Sequence, residues 1–93
     1  MAGRAEGLDR AAAEVIALRA LAFIAGEPER LDRFLALSGL SAAEIRAQAA
    51  EPAFLGGVLD FLLSDDGLVL AFVEQAGLPP DTPLTARSLL PGG

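Results

Sequence analysis

The chain has 93 residues, 53% of them hydrophobic, and a formal net charge of −6 from thirteen acids against seven arginines. It contains no cysteine, histidine, tryptophan, tyrosine or lysine, which removes disulfides, thiolate and imidazole chemistry and soft metal sites. The acidic balance repels phosphate backbones and anionic head groups.

A chain of this length suits one domain, expected over 8–90 between flexible ends at 1–7 and 91–93. Its stability must come from apolar packing, for which seventeen leucines and a mean hydropathy of +0.46 are ample. Alanine and leucine with few β-branched residues predict helix throughout. The first helix is expected over 8–25 and stops at Gly26, and Pro28 then suits the first turn of a second that carries Leu31, Phe34 and Leu35 on one face. Gly39 fits a left-handed C-terminal cap. Ser41 with Glu44 three residues on reads as a capping box, and Leu40 can pack on Ile45, so a third helix is predicted over 42–50.

Glu51 and Pro52 repeat the cap-then-proline signature and open a fourth helix that ends near Leu63. The segment 64–67 reads as a turn. Leu68, Val69, Phe72, Val73 and Ala76 then recur at helical spacing in a fifth helix that ends at Gly77, before the rigid Leu78, Pro79 and Pro80. Thr82 and Pro83 start a last short helix expected to reach Leu90. Phe34 precedes Gly39 and Leu40 by the spacing at which Phe72 precedes Gly77 and Leu78, a recurrence that ordinary helix termination explains. The fold class is therefore all-α, a compact bundle of five to six short helices, with the first and fourth, the most apolar, at its centre.

Two charges stand among apolar neighbours. Arg19 falls between Val15, Ala22 and Phe23 on the first helix, and Asp60 shares the fourth helix with a face of small residues, Ala53, Gly56, Gly57 and Ser64. Two adjacent helical glycines cost about 2 kcal/mol relative to alanine, which points to a close approach or a bend. If the first helix crosses that small face, Arg19 and Asp60 form a structural ion pair. Four apolar residues depart from the stripes of their helices: Leu37 lies near Arg30 and Arg33, Leu70 near Glu74, and Leu21 and Ile24 come round to the side of Glu14. Together they are the candidate protein-facing surface.

The catalytic and cofactor patterns are missing. Asp65 and Asp66 lack the further oxygen ligands of a calcium loop and read as a turn and helix cap; Gly56 and Gly57 lie inside a helix rather than in a phosphate loop. No enzyme activity, cofactor, metal or small-molecule substrate is expected. The segment 31–50 reads as helix, glycine turn, helix, which is the alternative reading: a helix-turn-helix-like DNA-binding protein. The would-be recognition helix offers only Arg46 and Gln48 as base readers, and the net charge opposes binding, so nucleic acid is a disfavoured partner. The densest apolar run, 15–25, is interrupted by Arg19 and falls short of the roughly 18–20 residues of a bilayer span, and the polar start 1–9 is unlike a cleavable signal. A cytoplasmic protein without membrane contact is expected.

Leu18, Ala20, Leu21 and Phe23, then Glu27, Pro28, Glu29, Arg30 and Leu31, then Arg33, Phe34, Leu35, Gly39 and Leu40 form a recognisable order. With Leu59, Asp60, Phe61, Leu62, Leu63, Asp66 and the apolar run 70–72, the chain resembles domain-of-unknown-function family 3572, small alphaproteobacterial proteins, over most of its length. The resemblance implies a small all-helical cytoplasmic protein and brings no catalytic residue with it. The expected role is a non-catalytic protein-interaction module, an adaptor or regulatory module or a self-associating subunit, whose partner is an unidentified protein or a second copy.

Overall fold

A computed structural model describes residues 8–91; the stretch 1–7 and residues 92–93 of the stretch 91–93, both expected to be flexible, lie outside the described residues. Among the described residues six helices follow in chain order: α1 (Arg10–Ala25), α2 (Pro28–Ser38), α3 (Ala42–Gln48), α4 (Pro52–Leu63), α5 (Asp66–Ala76) and α6 (Thr82–Ser88). There is no strand among the described residues, and the fold class is the all-α bundle that the punctuation predicts.

The helix ends show why. Asp9 caps α1 by accepting from the Ala12 N–H at 2.8 Å, so the helix starts two residues later than its apolar periodicity implies. Ser41 and Glu44 form the full capping box: Glu44 N–H donates to Ser41 Oγ at 3.2 Å and Ser41 N–H to Glu44 Oε1 at 2.9 Å. Gly39 and Gly77 hold φ of 73° and 69°, the left-handed geometry in which a Cβ is strained. Leu78 N–H then returns to the Val73 carbonyl at 2.9 Å. The recurrence of phenylalanine, glycine and leucine thus marks two similar helix ends. The third helix stops at Gln48 rather than Ala50, because Glu51, restricted by the proline after it, is extended with ψ 121°. The sixth stops at Ser88 rather than Leu90.

α1 and α4 lie at the centre, packed on each other and both on α6, with α2 against α1 and α5 against α4. On α1, Ala13, Ala17 and Ala20 are fully buried at helical spacing, and small side chains at such positions let neighbouring helices approach. From α4 come Leu55, Val58, Leu59 and Leu62. Two aromatic contacts tie the outer helices in: Phe23 on Phe72 at 5.5 Å between ring centroids, and Phe34 on Phe61 at 5.2 Å.

One candidate for the protein-facing surface is corrected by this packing. Ile24 has 0% exposure and belongs to the core. α1 is flanked by more than one helix, so the side it shares with Glu14 is not simply solvent.

Candidate functional site

The ion pair expected between Arg19 and Asp60 does not form. Asp60 is held by Arg87 of α6, whose Nε donates to Oδ1 at 2.6 Å and whose Nη2 donates to Oδ2 at 3.3 Å. Arg87 Nη1 also donates to the Leu90 carbonyl at 3.0 Å. Arg19 instead donates from Nη2 to the Ala76 carbonyl at 3.4 Å, at the C-terminal end of α5 where the helix dipole favours a cation. The small face of α4 is therefore crossed by the end of α6 and not by α1.

That crossing separates the two glycines. A Cβ on Gly56 would stand 2.7 Å from the Pro91 carbonyl oxygen and 3.1 Å from Arg87 Nη1, so the close approach inferred from the sequence is real at this position. It also places Pro91, expected to fray, against α4. A Cβ on Gly57 would meet nothing within 4 Å among the described residues.

Gly57 opens onto a groove of about 360 Å³ between α2 and α4. Phe34 and Leu37 of α2, Leu40 of the following loop, and Phe54 and Phe61 of α4 make its apolar walls. Phe34 stands edge-on to both Phe54 and Phe61, at 6.2 and 5.2 Å. Leu37 projects at the side of this groove with 72% exposure. The polar groups of the lining are engaged within the chain: Ser38 Oγ donates to the Leu35 carbonyl and accepts from Leu40 N–H, and Ser64 Oγ donates to the Phe61 carbonyl at 2.6 Å. Asp60 carries the only formal charge in the lining. A surface of this kind gives apolar shape and little hydrogen bonding, which suits side-chain packing rather than bond-making chemistry.

The other candidate residues are dispersed. Leu21 is half-buried in the wall of a second apolar groove, between α1, α2 and α3, and Leu70 is 59% exposed on α5, outside both grooves. The pattern over 31–50 is realised as α2, a left-handed glycine and α3, with Arg46 at the edge of that second groove and Gln48 half-buried. Asp65 caps α5 by accepting from Gly67 N–H and Leu68 N–H. Arg33 stands 4.0 Å from Asp65. No helix among the described residues is long and apolar enough to cross a membrane.

Sequence reasoning missed Phe54, Gly57 and Arg87 as parts of one neighbourhood. Arg87 had a signal, as the one basic residue after Arg46. Phe54 had none, because an aromatic residue in an apolar helix reads as core.

The family model described as Protein of unknown function (DUF3572) matches residues 10–93, and the chain belongs to that family. No match was found among curated proteins or solved structures.

Proposed function

We propose that this member of the DUF3572 family is a non-catalytic protein-interaction module that receives a protein partner in the groove between α2 and α4. The observation that carries the reading is Leu37, 72% exposed beside a wall of three phenylalanines. A single exposed leucine is ordinary, but one continuous with a concave aromatic surface is a site for an apolar anchor. The absence of catalysis is supported by the side-chain inventory: without cysteine, histidine, tyrosine or lysine, general acid–base and nucleophilic roles fall to carboxylates and hydroxyls. In the groove those groups are bound to Arg87, Leu35 and Phe61.

The test places a photo-crosslinking amino acid at position 37 in living cells, with the same group at exposed Leu84 as the control. The expected result is a discrete protein adduct from position 37 that is absent from position 84 and lost when Gly57 is replaced by leucine. Adducts that are identical from both positions, or unaffected by the filled groove, would overturn the reading.

A further inference from the structure

We infer that the occupant of the α2–α4 groove is a basic amphipathic helix, seated over the bare backbone at Gly57 with a cation against Asp60; this rests on the groove being the interaction surface.

Gly57 is the first support. Glycine weakens a helix interior, and at Gly56 the end of α6 accounts for it, whereas among the described residues nothing comes within 4 Å of a Cβ at Gly57. An external backbone that comes close at this position gives the missing side chain a role, as small residues do wherever two helices touch.

The shape of the groove specifies a helix. Phe54, Gly57 and Phe61 of α4 and Ser64 at its C-cap form one stripe, about 15 Å long at 1.5 Å rise per residue. Apolar residues at i, i+3 or i+4, and i+7 of a facing helix span about 10 Å of that length. A peptide that binds as an added strand needs backbone hydrogen bonds from a sheet edge of its host. The groove offers no such edge, since its walls are helices bonded along their own axes. A helix brings its backbone already satisfied.

Charge specifies the sign. Arg87 donates to one side of the Asp60 carboxylate, through Nε and Nη2, while the Asp60 side chain is 54% exposed. A carboxylate has about four lone-pair positions, so a second cation can join the first. The net charge of −6 draws basic segments toward the surface and repels a second copy of the same chain.

The experiment is a display selection of random helix-forming 12-residue peptides against the full chain, with the G57L protein as counter-target and light scattering on both. The leucine of G57L points into open space, so the fold survives, which circular dichroism checks. Enriched peptides are expected to show apolar residues at i, i+3 or i+4, and i+7 with a net positive charge. They should bind G57L at least tenfold more weakly and D60N several-fold more weakly, and lose affinity as salt rises. Enriched peptides that depend on the groove but are neutral or acidic would overturn the basic helix and leave the groove as the interaction surface. A wild-type dimer that becomes monomeric in G57L would do the same, in favour of a second copy. Peptides indifferent to G57L, or no enrichment by a monomeric protein, would overturn both readings.

Discussion

Replacing Gly56 and Gly57 one at a time by alanine should move stability in opposite directions, although the residues are adjacent in the same helix. Both substitutions gain about 1 kcal/mol of helix propensity. At Gly57 nothing offsets that gain, because the new methyl group meets open space. At Gly56 the methyl would sit 2.7 Å from the Pro91 carbonyl oxygen and 3.1 Å from Arg87 Nη1, well inside ordinary contact. Arg87 cannot retreat without releasing Asp60 and the Leu90 carbonyl. Overpacking of this kind costs about 1–3 kcal/mol, so G56A should lose about 1 kcal/mol net and the two variants should differ by about 2 kcal/mol. A domain of this size shifts by about 4–8 °C per kcal/mol, which puts the two melting temperatures on the order of 10 °C apart. Far-UV circular dichroism during thermal and urea unfolding is the assay, since the chain has neither tryptophan nor tyrosine for fluorescence. Equal stabilisation of both variants would refute the placement of the α6 end on Gly56. Loss of stability in G57A would refute the open face at Gly57.

The Asp60–Arg87 contact gives a double-mutant cycle with a built-in control. Charge-assisted hydrogen bonds are worth about 1.5–3 kcal/mol when buried, and the half-exposed carboxylate reduces this, so a coupling of about 1 kcal/mol is expected. Arg19 with Asp60 should couple by less than about 0.5 kcal/mol; a coupling as large as that of Arg87 would refute the assignment of partners. Leu37 and Ile24 form another contrast, measured by urea unfolding. L37D should leave stability within about 0.5 kcal/mol, whereas I24A should cost about 2–5 kcal/mol, and equal losses would show that Leu37 is packed in the free protein.

The helices themselves were legible in the sequence because their boundaries are decided by local chemistry. Ser41 and Glu44, Pro28 and Pro52, Asp65, and the glycines at 39 and 77 each act over three or four residues, and the structure has a helix end at every one of them. The central place of α1 and α4 was legible for a related reason, since the most apolar segments have the most to gain from burial. Where a boundary moved, a local cause was present: the Asp9 cap before α1, and Pro52 acting on Glu51 after α3.

Tertiary structure alone decided who meets whom. Periodicity placed Asp60 on a small face and required something to approach it, yet Arg19 and Arg87 were equally able to answer by charge. The answer depended on α6 crossing α4, a contact between residues 27 apart in the chain. The two glycines were indistinguishable by propensity until that crossing covered Gly56 and left Gly57 bare. Ile24 and Leu37 looked alike on their helical wheels, and they separated only because α1 is enclosed by its neighbours while α2 lies at the edge. A sequence determines which backbone groups are satisfied locally and which stripes must be buried. Which stripe covers which, and so which apolar surface is left over for another molecule, is settled by the packing of all six helices at once.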